Sequence, residues 1–178
     1  MAKIEPVNVE EANDRQKELL QAVKGKMGNV PNILGTMVHA PSVLKSYLAM
    51  SEAMGESSLS PALRERLSLA ISEKNGCGYC LAAHTVLGKM NGLSEKETIE
   101  ARQGKAGDAR DEAALTFALR VMETNGYVSD EDREAARDAG LGEQQQIEIV
   151  GMIALNTLTN LFNHVAETDL DFPQAPAG

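Results

Sequence analysis

The chain of 178 residues carries 17 Lys and Arg against 26 Asp and Glu, a net charge of −9 with the cations scattered among acids. Phosphate recognition needs a basic patch, so no nucleic-acid partner and no anionic membrane surface is expected. Tryptophan is absent and only three Phe and three Tyr occur beside eight Met, which predicts an aliphatic, Met-rich core of the kind helices pack. No apolar run is expected to reach the length of a membrane span, and Met1 to Pro6 lacks the apolar centre of a signal peptide, so the expectation is a cytoplasmic protein. The length suits one core, and residues 1–178 are expected to form a single domain.

Helix-period patterns with capping signals recur from end to end, and no stretch alternates like a strand. This predicts an all-α fold, a compact bundle of about eight helices. The first is expected over Val9 to Lys26, with Leu19, Leu20 and Val23 inward and Gly28 as its stop. Asn29-Val-Pro31 leads into a short helix near Asn32 to Val38, and Ala40-Pro41 opens another that runs to about Met54 through Leu44, Tyr47 and Leu48. Ser60 is an N-cap with proline at the first helical position, and the helix from Pro61 to Lys74 packs through Leu63, Leu67, Ala70 and Ile71. After the turn dipeptide Asn75-Gly76 a helix runs from about Cys77 to Met90, with Leu87 and Met90 assigned to the core.

Ser94 and Glu97 form a capping box for a helix ending near Gln103, and Gly104 to Gly107 is a polar break. The segment from about Ala109 to Thr124 buries Leu115, Ala118, Leu119 and Met122. Ser129 with Asp132 caps a short solvated helix that stops at Gly140. The last helix, from about Glu143 to Glu167, is apolar on most faces through Ile147, Val150, Ile153, Leu158 and Leu161, which predicts burial or a subunit contact. A faint echo at an offset of 83 residues pairs Glu65, Cys77, Tyr79 and Cys80 with Glu148, Asn160, Phe162 and Asn163, leaving open a degenerate two-half repeat with a boundary near residues 104–108.

The chemistry concentrates in Cys77-Gly-Tyr-Cys80-Leu-Ala-Ala-His84, which holds both cysteines of the chain. Thiols three residues apart on a helix are within reach of a disulfide, and His84 shares their face one turn on. At a helix start the unpaired backbone N–H groups favour an anion, and the thiolate is the nucleophilic form of cysteine. In a reducing compartment such a pair reads as catalytic or metal-binding. The short connection makes the two helices antiparallel, so Glu65, about ten residues before the turn, stands at the depth of His84, about eight after it. Glu65 is then expected to orient His84, His84 to take the Cys80 proton directly or through a water, and Cys80 to attack the distal oxygen of a peroxide. The sulfenic acid would condense with Cys77. Glu73, close to the turn, is expected to be solvated. Cys-x2-Cys-x3-His also fits part of a zinc site; His39 and His164 are the only further histidines and neither is locally paired, so a carboxylate or a neighbouring subunit would complete it, and an inert buried pair stays open. Glu65 could instead pair with Arg64 or Arg66 across a contact. His39 and His164 read as structural, and Asn160 and Asn163 as amides that bind backbone or line a subunit contact.

Glu65, eleven intervening residues and the Cys77 to His84 run, with the later Asn156-Thr-Leu-Thr-Asn-Leu-Phe-Asn163, resemble the alkyl hydroperoxidase D-like branch of the carboxymuconolactone decarboxylase family. The likeness is close over about Pro61 to Met90 and looser across most of the chain. It implies an alkyl hydroperoxidase D-like bundle whose central αα-hairpin carries the CxxC motif, and a thiol-dependent peroxidase that reduces small hydroperoxides in antioxidant defence. By the same resemblance Cys80 is peroxidatic, Cys77 resolving, and Glu65 and His84 a proton relay. The implied cofactor is only a redox-active Cys77–Cys80 disulfide, without metal, reset by an external dithiol such as a dihydrolipoyl group or a thioredoxin-like protein. A homo-oligomer, trimer or hexamer, with sites near subunit contacts is implied as well. That branch often has histidine between the cysteines, where this chain has Tyr79, a hydrogen-bond donor but a poor proton acceptor near neutral pH, so its part in the relay is open. Other members decarboxylate γ-carboxymuconolactone without depending on a cysteine pair. A lactone decarboxylase, and a redox-sensing or zinc-binding oligomer without turnover, are the competing expectations.

Overall fold

A computed structural model describes residues 1–177, and among them are nine α-helices and no strand: α1 (Asp14–Met27), α2 (Asn32–Met37), α3 (Pro41–Gly55), α4 (Pro61–Asn75), α5 (Gly78–Met90), α6 (Glu95–Arg102), α7 (Ala109–Glu123), α8 (Asp130–Asp138) and α9 (Glu143–Ala166). Most starts fall on their capping residues. Ser60 Oγ accepts from the Leu63 N–H with Pro61 in the first turn, and Ser94/Glu97 and Ser129/Asp132 close capping boxes. The exception is α1, which starts at Asp14 and not near Val9. Asn13 and Gln16 exchange side-chain and backbone hydrogen bonds in a further capping box, which ends the irregular chain there and leaves Val9 exposed.

α4 is the central rod. Leu63, Leu67, Leu69, Ala70, Ile71 and Ser72 are buried on every side of it, and α5, α6, α7 and α9 pack around it. With Leu59, Leu115, Leu141 and Ile149 these residues make the main core, while Leu20, Val23, Leu34, Met37, Val38 and Leu44 of α1 to α3 make a second. A third, small cluster of Cys77, Tyr79 and Cys80 is flanked by Phe172 and meets the second core through Ile33. Met90, expected in the core, is exposed, because Ala82, Thr85 and Gly88 set the inward face of α5 and Met90 falls off that line.

α9 inverts its expected pattern. Gln146, Ile149, Met152, Asn156, Thr159, Asn160, Asn163 and Ala166 are buried, while Ile147, Val150, Leu161 and Val165 stay exposed. By length and composition α9 is also apolar enough to cross a membrane, contrary to the expectation from sequence, since Glu148 is its one Asp, Glu, Lys or Arg after Glu143. Its inner face packs on α3, α4 and α7, as a core helix does. At the offset of 83 residues the Asn75-Gly76 turn would fall on Leu158-Thr159, inside unbroken helix, so the second half has no matching hairpin.

Gly76 makes the α4–α5 turn in the left-handed region at φ 71°, its N–H bonded to the carbonyls of Ser72 and Glu73. Gly88 lets α5 lie close to its neighbours: a Cβ there would stand 3.1 Å from Leu93 Cδ1 and 3.4 Å from Thr98 Cγ2. Left-handed backbone costs an L-residue about 1–2 kcal/mol. Gly76→Ala is therefore expected to lower Tm by roughly 2–4 °C for each kcal/mol lost in a chain of this size, read by calorimetry; an unchanged Tm would mean the turn does not need this conformation.

Candidate active site

The site grows from the start of α5. Cys77 is the N-cap residue, and its Sγ accepts from the Cys80 N–H at 3.3 Å, so the sulfur does the work that a serine oxygen does at α4. Cys77 and Cys80 are joined as a disulfide with Cα atoms 5.3 Å apart, and they are only 1% and 3% exposed. From α9, Asn163 Nδ2 donates to Cys80 Sγ at 3.2 Å and lies 3.8 Å from Cys77 Sγ, while Asn163 Oδ1 has no partner. Asn160 Oδ1 accepts from Asn75 Nδ2 at 2.8 Å, and its own Nδ2 reaches Ser72 Oγ at 3.4 Å. Neither amide binds backbone, the first of the two roles expected for them. Both bind side chains at the α4–α5 turn, and the one signal for this was the echo that aligns Asn160 and Asn163 with the cysteines.

Glu65 on α4 meets His84 on α5, Oε2 to Nδ1 at 2.8 Å, with side chains 16% and 22% exposed. A carboxylate accepts, so this contact puts the ring proton on Nδ1 and leaves Nε2 with its lone pair free. Arg64 and Arg66 do not compete for Glu65. Arg64 Nη1 donates to the Leu59 carbonyl at 2.6 Å, and Arg66 is paired with Glu97 at 2.6 Å and Asp111 at 3.5 Å. Glu73 is exposed, as expected, and pairs there with Arg102 at 2.6 Å. His39 Nε2 meets the Glu5 carbonyl at 3.0 Å, and His164 is exposed on α9.

Cys80 and His84 line one cavity of about 70 Å³, walled by Met27, Pro31, Leu34, Tyr47, Leu87 and Phe172; Cys77 does not reach it. An adjoining cavity of about 270 Å³ shares Met27, Tyr47, His84 and Leu87 and opens onto Glu65. Tyr47, which sequence reading placed only in a helix stripe, thus stands in both, and burial foremost pushes its phenol up, with the Glu65 charge adding to it against a Ser51 hydrogen bond.

Tyr79 has its hydroxyl engaged on both sides. It donates to Asp171 Oδ1 at 2.7 Å and accepts from the Ile33 N–H at 3.3 Å. Burial, and then the bond to Asp171, raise the phenol far above its usual range. Phe172 stands edge-on to the Tyr79 ring at 5.6 Å, Asp171 Oδ2 accepts from the Asn32 N–H at 2.8 Å, and Asn32 Nδ2 donates to the Asp169 carbonyl at 3.0 Å. This tail beyond α9 has no periodicity, so no local pattern signals that Phe172 packs on the cysteine cluster.

Residues 41–124, from α3 to the end of α7, match the carboxymuconolactone decarboxylase family profile. That segment resembles the family and carries Glu65, Cys77, Cys80 and His84. The fold of the chain is alkyl hydroperoxidase D-like. The alkylhydroperoxidase AhpD core structure of a peroxidase-related protein from Ralstonia eutropha JMP134 superposes with a TM-score of 0.84 at 24% identity, over 94% of this chain and 93% of that one. A peroxidase-related protein from Silicibacter sp. TM1040 gives 0.80 at 23% identity, over 94% and 92%. The debrominase Bmp8 gives 0.78 at 17% identity, over 95% and 92%, and a cysteine-to-alanine variant of it has been solved with 2,3,4-tribromopyrrole. No curated protein matches the chain. Within this family fold, among the described residues, no group of three or more His, Cys, Asp or Glu is placed to hold a metal, and the side chain that meets the sulfurs, the Asn163 NH2, is a donor and not a ligand.

Tyr79→Phe removes one hydroxyl that satisfies two groups. The expected cost is about 1–3 kcal/mol of stability, read by denaturant unfolding, with thiol reactivity toward a hydroperoxide falling by far less than the roughly 10²-fold that loss of a proton-transfer group brings. A rate loss of that size with stability intact would put the phenol in the relay.

Proposed function

We propose that this chain is a thiol-dependent peroxidase that reduces small organic hydroperoxides through a Cys77–Cys80 dithiol–disulfide cycle. The observation that carries the reading is that Cys80 and His84 line one cavity while Glu65 holds the far side of the His84 ring. His84 Nε2 takes the Cys80 proton, directly or through a water. The Cys80 thiolate attacks the distal peroxide oxygen, the O–O bond breaks, and the alkoxide leaves as alcohol with that proton. Cys77 then attacks the Cys80 sulfenic acid, the S–S bond forms, and water departs. An external dithiol, a dihydrolipoyl group or a thioredoxin-like protein, returns the two electrons. The apolar cavity wall favours an organic hydroperoxide over a strongly hydrated one. We place the protein in the cytoplasm, where dithiol donors are held reduced.

The test is single-turnover thiol loss in the reduced protein mixed with an organic hydroperoxide. Cys80→Ser is expected to abolish peroxide consumption, and Cys77→Ser to leave Cys80 as a sulfenic acid that dimedone labels. Consumption by Cys80→Ser at the wild-type rate would refute the assignment. Decarboxylation of γ-carboxymuconolactone by the double Cys→Ser variant would point to the other chemistry of the family, and stoichiometric zinc in protein purified without chelator to a metal site.

Assembly belongs to the same proposal. Ile147, Val150, Leu161 and Val165 leave an apolar stripe along α9 at near-heptad spacing, the pattern that a second helix of the same kind covers. Leu161→Asp with Val165→Asp is expected to bring the mass in light scattering down to the 19.1 kDa of one chain; a wild-type protein already at that mass would end the oligomer reading.

A further inference from the structure

Cys80 has to ionise before it can attack, and the usual aid to a thiolate is already taken. The first N–H of α5 aimed at a sulfur is that of Cys80 itself, and it goes to Cys77 Sγ. Cys80 is left 3% exposed, and burial alone raises a thiol. Its side-chain donor is the Asn163 amide, 3.2 Å from Sγ. Asn163 is itself 5% exposed, and its Oδ1 lacks any partner. A buried carbonyl left without a donor is costly, and a disulfide sulfur is too weak an acceptor to offset that. A negatively charged sulfur is not: hydrogen bonds to an ionised acceptor are about twice as strong as neutral ones.

We propose that Asn163 is a catalytic residue whose Nδ2–H donates to Cys80 Sγ and holds that sulfur as the thiolate. The proton lost by Cys80 goes to His84 Nε2, the electron pair stays on Sγ, and the amide neither gains nor loses a proton. This rests on Cys80 being the attacking sulfur. It assigns the donor that His84 and Glu65 do not supply, since they remove the proton but leave the buried charge unsolvated. Asn160, three residues earlier, ties α9 to Asn75 and Ser72 and so fixes the depth at which Asn163 meets the sulfur.

Only two cysteines occur in the chain, so Cys77→Ser leaves Cys80 as the one thiol, and its ionisation can be followed by the pH dependence of iodoacetamide alkylation without any peroxide. In that background Asn163→Ala is expected to raise the alkylation midpoint by about 1–2 pH units, the shift that corresponds to one hydrogen bond to a charged group. Asn163→Asp, equal in volume but without a donor, is expected to raise it at least as far and serves where the alanine variant does not fold. An amide with a packing role alone would lower Tm and leave the midpoint in place, and an unmoved midpoint in either folded variant overturns the proposal. A raised midpoint in a protein that consumes no hydroperoxide would refute the peroxidase reading and leave Asn163 as the thiolate donor.

Discussion

One left-handed residue decides where the chemistry stands. Because Gly76 reverses the chain in a single turn, α5 runs back along α4 with no slack, and the helical rise alone brings His84 level with Glu65. α4 cannot slide to relax this register, since Leu63, Leu67, Leu69 and Ile71 are buried among four other helices. Gly88 removes the side chain that would push α5 outward one turn beyond His84. The geometry of the candidate site is therefore a by-product of rigid core packing, with no loop needed to place either half of the Glu65–His84 pair.

The third partner comes from elsewhere, and its polarity explains why α9 looks inside out. A helix that buries Asn156, Thr159, Asn160 and Asn163 and exposes Ile147, Leu161 and Val165 spends its inner face on hydrogen bonds rather than on apolar contact. Buried amides need partners: Asn75 and Ser72 hold Asn160, while the two sulfurs take only the Nδ2 of Asn163 and leave its Oδ1 unpartnered. The turn that sets the hairpin and the amides that read it thus depend on each other: displacing the turn would strand Asn160, and displacing α9 would leave Asn75 and Cys80 without their donors or acceptors.

Much of this was legible in the sequence because it is local. Ser60-Pro61, Asn75-Gly76 and the Ser94 and Ser129 boxes mark element ends within a few residues, and the level of Glu65 against His84 follows from counting along two helices. What could not be counted is what depends on distant chain. Asn163 lies 83 residues from Cys80, and hydrophobic periodicity cannot separate the face of an amphipathic helix that meets the core from the face left outside when both carry apolar residues. Asp171 and Phe172 lie in a tail without a repeat of any kind, so their contacts with Tyr79 had no local cause to be read. The missed start of α1 is a different failure, since Asn13 and Gln16 form a capping box that the sequence displays.

Tyr79 gains its meaning from that tail. Where relatives of this motif often place a second imidazole, this chain has a phenol whose oxygen is filled on both sides, by the Asp171 carboxylate and the Ile33 N–H. Moving a proton through it would require giving up the bond to Asp171, and burial already opposes ionisation of the phenol. In the proposed cycle this leaves one proton route, from Cys80 to His84 Nε2, with Glu65 holding the ring. A site with one route needs its thiolate held while the proton is away, because no second acceptor shares the load. Under the same proposal the Asn163 amide is the donor to that thiolate, and it neither gains nor loses a proton in the cycle.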